Sequence, residues 1–163
     1  MSTLMKPLLA TLFVVWLSAC GAPEPATPMT QAEAVSIEDA WIRETPPGAK
    51  VSAGYMRLVN AADAPARLIG ATLAEAARAE IHTMFMQDGM MRMRQLENGL
   101  EIPARGQAAL KVGGDHLMLM GLNTALTSGA QLSLQLQFAD GSSTNISVPV
   151  EPAMGAADSH AHH

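Results

Sequence analysis

Residues 132–138 read Leu132-Ser133-Leu134-Gln135-Leu136-Gln137-Phe138, with apolar and polar side chains alternating without a break over seven positions. Side chains of an extended strand point to opposite faces in turn, so this period of two puts the leucines and the phenylalanine on one buried face. Outward from this segment, between Val35 and Val150, shorter apolar-alternating stretches are broken at close intervals by Gly, Pro, Asn and Asp. That spacing predicts a single all-β domain, a sandwich or barrel rather than a βαβ fold. Strands are expected at 36–43, 52–60, 66–74, 80–86, 90–96, 107–112, 116–122, 131–139 and 144–150. Gln87-Asp88-Gly89 carries the Asp-Gly of a tight hairpin, so the strands either side of it should be antiparallel neighbours. Residues 71–79 favour helix but are too few and uncapped to form one alone, and are expected to be a connection.

Composition narrows the function. The 163 residues are 48% apolar and 15% charged, enough for one modest core. Ten Lys and Arg against 15 Asp and Glu give a formal net charge of -5, and no basic cluster suited to a phosphate backbone exists. Nucleic acid is therefore not an expected partner. One cysteine, Cys20, allows neither an intrachain disulfide, nor a thiolate zinc site, nor a CxxC redox pair. Methionine, by contrast, occurs 12 times while aromatics make up only 4%.

The two ends of the chain read differently from the middle. Lys6 precedes an apolar run from Pro7 to Leu17, too short to span a bilayer and proportioned like a signal peptide. Leu17-Ser18-Ala19-Cys20 resembles a bacterial lipobox, which implies cleavage after residue 19, acylation of Cys20 and a lipoprotein held at a membrane in the periplasm. Residues 20–34, rich in Pro and Ala at their start, are expected to be an extended linker. Residues 151–163 are small and polar, and are expected to be a disordered tail holding His160, His162 and His163.

The remaining histidines, His82 and His116, both stand in His-x-Met triplets, with Met84 and Met118. In a strand the His and Met of each triplet share a face, leaving Ile81, Phe85, Leu117 and Leu119 for the core face. Glu80 shares the His82 face and can accept its second ring N–H, the usual arrangement beside a metal-bound imidazole. Met84, Met86, Met90, Met91 and Met93 fall within ten residues. Methionine is adaptable core filler, but thioether sulfur with imidazole also suits Cu(I). On chemistry alone, a copper site and core histidines packed among methionines remain equally open.

The spacing resembles the periplasmic copper chaperones called PCu(A)C, whose signature is a His, a Met after ten intervening residues, and a His-x-Met about twenty-one residues on. Here ten residues separate His82 from Met93, and twenty-two separate Met93 from His116-Leu117-Met118. Glu80-Ile81-His82, Gly89-Met90-Met91-Arg92-Met93, Glu101-Ile102-Pro103 and the run from Gly114 to Leu122 also resemble the family. The resemblance covers the whole predicted domain, 35–150. It implies a cupredoxin-like Greek-key β-sandwich holding one Cu(I) on His82, Met93, His116 and Met118 at an exposed site. Met84 is the alternate ligand and Met91 a lesser one. It further implies delivery to the binuclear copper site of cytochrome c oxidase, on subunit II, directly or with a thiol-type copper chaperone.

Other readings make different demands. A blue-copper electron carrier needs a Cys thiolate that the domain lacks. An enzyme is not expected, because Asp115 and His116 project to opposite strand faces and no GxSxG nucleophile motif occurs. The alternative is a lipid-tethered β-sandwich that docks a partner protein through its Met-rich surface, in which His82 and His116 would be dispensable. The tail histidines suit Cu(II) better than a thioether site does and are expected to capture it.

Overall fold

The structure, a computed structural model, describes residues 29–152. The expected leader (residues 1–19), Cys20 and the tail histidines His160, His162 and His163 lie outside the described residues. A one-turn helix, α1 (Gln31–Ala34), leads into β1 (Val35–Arg43), β2 (Val51–Asn60), β3 (Ala66–Leu73), β4 (Ala76–Gln87) and β5 (Met90–Gln95). These are followed by β6 (Leu100–Ile102), β7 (Gln107–Leu110), β8 (His116–Leu122), β9 (Gln131–Phe138) and β10 (Ser143–Glu151).

Seven strands pair in the order β4-β8-β2-β1-β10-β9-β3, and a β3–β4 pairing at Ala71 and Ala79 closes the sheet on itself. Closure removes most free strand edges. Strand β5 extends the sheet from β4, β6 pairs β3 and β7 pairs β2. Sequence-distant strands lie side by side, β8 between β2 and β4 and β9 beside β3, the crossing-over of Greek-key winding. The interior is apolar and mostly aliphatic: Ile42, Leu58, Leu68, Leu117, Leu119, Leu134, Leu136 and the aromatic Phe138 are essentially inaccessible. Each such burial contributes about 1.5–3 kcal/mol. The alternation that predicted β9 holds, with Leu134, Leu136 and Phe138 buried and Leu132 half-buried toward the strand's open end.

Three expectations need correction. Residues 71–79 are not a loose connection but the end of β3, a two-residue turn at Ala74-Glu75 and the start of β4, because barrel closure supplies pairing that local propensity does not reveal. Strand β6, three residues long, carries too little pattern to be read. Residues 31–34, assigned to the linker, form α1, held by a Thr30–Glu33 capping box. Asp140 ties this turn to the barrel by accepting from the Gln31 amide at 2.7 Å. That bond, with those from Ser142, holds the Asp140 carboxyl below the usual carboxylate range.

Strands β4 and β8 approach closely because of Gly121. Its φ is +68°, and an added Cβ would stand 2.8 Å from the Ala77 Cβ. Only glycine meets both conditions without strain.

Candidate metal centre

Local chemistry fixes the hairpin that carries most of the methionines. Asp88 and Gly89 both have positive φ, 52° and 74°, and Gln87 pairs Met90 across them. This is the two-residue turn with both central residues left-handed that Asp-Gly favours. The register is thereby set without a bulge: His82 faces Gln95, Met84 faces Met93 and Met86 faces Met91. On the other edge of β4, His82 pairs His116 and Glu80 pairs Met118. Directly opposed residues share a face, so two histidines, Glu80 and a run of methionines converge on one side of three strands.

His116 is 7% exposed. Its Nδ1 lies 3.0 Å from the Gly114 carbonyl oxygen, which can only accept, so Nδ1 carries the proton. In the neutral ring Nε2 is then left with a lone pair, and the Met93 sulfur stands 3.1 Å from it. Two electron-pair donors face one another, an arrangement that gains nothing by itself and much from a soft cation bound by both. The His82 and His116 ring centroids are 6.0 Å apart. His82 Nε2 lies 3.1 Å from Glu80 Oε2, and the carboxylate accepts a hydrogen bond from its N–H. His82 Nδ1 is buried with no hydrogen-bond partner among the described residues. An orphaned ring nitrogen costs about 1–3 kcal/mol, which coordination would offset.

A cavity of about 430 Å³ opens beside these groups, walled by Met84, Met93, His116 and Met118 together with Tyr55 and Val112. Three of the four residues expected as ligands, and the alternate Met84, therefore meet in one cavity. His82 does not line it and reaches the others through its pairing with His116. Among the described residues no three His, Cys, Asp or Glu side chains form a cluster able to hold an ion by themselves, so the histidines would need thioether partners. The donors that do gather are imidazole and thioether.

The expectation that all four donors lie near the surface holds for Met93, 47% exposed, and fails for His116. His116 sits on a strand bordered by β2 and β4, next to the inaccessible Leu117, with the Met93 side chain against its ring nitrogen. Phe85 also departs from its expected core position. It is half-buried, with the Arg94 guanidinium 5.3 Å from its ring centroid. The walls that β2 supplies, Val51 and Tyr55, were not identified from sequence. They carry no signal there beyond ordinary strand residues. The Gly114 carbonyl is backbone and equally silent.

The LpqE-like lipoprotein family matches residues 35–150. A lipoprotein of Leifsonia xyli subsp. xyli is 31% identical over 160 residues, which is 96% of this chain and 95% of that one. The copper-bound PCuAC domain of PmoF2 shares 25% identity at a TM-score of 0.62, covering 74% of this chain and 94% of that domain. The CuI form of DR1885 from Deinococcus radiodurans shares 34% identity at a TM-score of 0.55, covering 71% of this chain and 76% of that one. With its closed β-domain and its gathered imidazoles and thioethers, the chain belongs to the LpqE-like lipoproteins and so to the PCu(A)C family of copper chaperones.

Proposed function

We propose that this protein is an exported carrier of Cu(I), bound through His82, Met93, His116 and Met118 with Met84 in reserve, and that it acts by handing the ion on rather than by catalysis. The observation that carries this reading is the Met93 sulfur set 3.1 Å from a His116 nitrogen whose partner nitrogen is already committed to Gly114. Copper in the PmoF2 domain and CuI in DR1885 support it. Thioethers carry no proton, so binding releases none from them and stays effective in an oxidising compartment. Met93, the most exposed donor, is the one an incoming ligand would replace first. The deeper His116 would let go last, so the ion stays coordinated throughout.

The recipient we favour is the binuclear site of cytochrome c oxidase, reached directly or through a thiol-type chaperone. Cys20 would hold the protein at the membrane as an acylated residue, and His160, His162 and His163 would capture Cu(II) ahead of the main site.

An anaerobic competition titration of residues 21–163 against a coloured Cu(I) chelator tests the central claim. One tight equivalent is expected, and its absence would return the Met-rich face to partner docking. Glu80 gives a finer test. By accepting the hydrogen bond of the His82 Nε2–H it leaves Nδ1 as the ligating atom, so Glu80→Gln is expected to weaken Cu(I) binding by roughly 10–100-fold. The same titration reads it, and unchanged affinity would show that Glu80 does not position His82.

A further inference from the structure

The main site uses Met93 and holds Met84 in reserve, while Met91, the lesser ligand candidate, does not line its cavity and belongs instead to another thioether pair on the same face of the β4–β5 hairpin. Met86 and Met91 are directly opposed in register, immediately beyond Met84 and Met93 toward the Asp88-Gly89 turn. They are 62% and 53% exposed. Exposed methionines on a protruding edge hairpin contribute little to a core, and both β5 neighbours on this face, Met91 and Met93, are open to solvent. Residues directly opposed across an antiparallel pair have Cβ atoms about 4.5–5.5 Å apart, a span two flexible thioethers can close around one ion.

We infer that Met86 and Met91 form a second, weaker Cu(I) station, through which copper reaches the main site and leaves it. This rests on the proposed Cu(I) site. Two thioethers match the soft cuprous ion, and two ligands without an imidazole hold it less tightly than the inner set. The step from one rung to the next is about 7 Å, two residues of antiparallel strand. Transfer is ligand exchange alone. A Met91 or Met86 sulfur bond to copper breaks as a Met93 or Met84 sulfur bond forms, copper stays cuprous, and no proton moves because thioethers bear none. Incoming copper thus meets the exposed pair first, and its effective concentration at the inner donors rises once it is held there.

The test compares residues 21–163 with the Met86→Leu/Met91→Leu double variant. Leucine keeps size and apolarity at two exposed positions, so the fold is unaffected. Cu(I) is supplied anaerobically as its complex with a small coloured chelator, and both the affinity and the rate of filling the tight site are followed. The expected result is an unchanged tight affinity with filling slowed by about tenfold or more. Filling at the unaltered protein's rate would overturn the inference. So would a fall in tight affinity matching the fall in rate, because the pair would then belong to the main site itself. If filling slowed only from a protein donor and not from the small chelator, the patch would be a docking surface and the station would likewise be refuted. Absence of any tight equivalent in the unaltered protein would instead refute the main site, which keeps the two failures distinct.

Discussion

Replacing His116 with alanine is expected to abolish tight Cu(I) binding while leaving a folded protein. Losing a neighbour that merely orients a ligand costs roughly 10–100-fold in affinity, and loss of the ligand itself should exceed that range. His116 is singled out by three features: its Nδ1 is anchored on Gly114, its Nε2 faces the Met93 sulfur, and its ring is walled by the cavity. No neighbouring nitrogen can swing into its place, because His82 is held on Glu80. Met93→Leu should show a smaller loss, since Met84 lies opposite it and can substitute. Met90→Leu, on the other face of the hairpin, should change nothing. Competition titrations of the three variants give the ranking. If His116→Ala bound as tightly as the unaltered protein, the site would be misplaced.

The largest effect on stability is expected from Phe138→Ala. Phe138 is 1% exposed and pairs with Leu68 where β9 runs antiparallel beside β3, so its ring lies in the core. Removing a buried phenylalanine ring costs about 3–5 kcal/mol, through lost transfer energy and the cavity left behind. Against a typical total of about 5–15 kcal/mol, that brings the domain close to unfolding at moderate temperature. Phe85→Ala, at a half-buried position under Arg94, should cost much less. Urea midpoints for the two variants make the comparison, and equal losses would contradict the assignment of Phe138 to the core.

How far the sequence could be read depended on whether a feature was local. The strict alternation at 132–138 and the Asp88-Gly89 turn are decided within a few residues, and both strands and hairpin register follow from them. The Thr30–Glu33 capping box is equally local and was there to be read, but a Pro-rich approach drew it into the linker. The pairing of His82 with His116 is different in kind. It depends on β8 sliding between β2 and β4 in one register, a matter of core packing across strands distant in the chain. For the same reason the sequence placed donors on faces but not at depths. Whether a ring lies at the surface or beneath another side chain is settled by which strands flank it, and His116 has a neighbour on each side.

The parallel pairing of the first and last strands, β1 and β10, gives the domain a polarity. Strand β1 begins at Val35, next to the α1 turn that Asp140 holds, and Arg43 at its far end forms part of the cavity wall that also holds Met93 and His116. Nine residues of strand, irregular between Glu38 and Trp41, separate these ends by at most about 26 Å. A tether on the amino-terminal side therefore pulls on one pole of the barrel while the donors open at the other. Were the protein fastened to a bilayer through Cys20, as proposed, that orientation would turn the donors outward, away from the lipid and toward whatever arrives to collect their cargo.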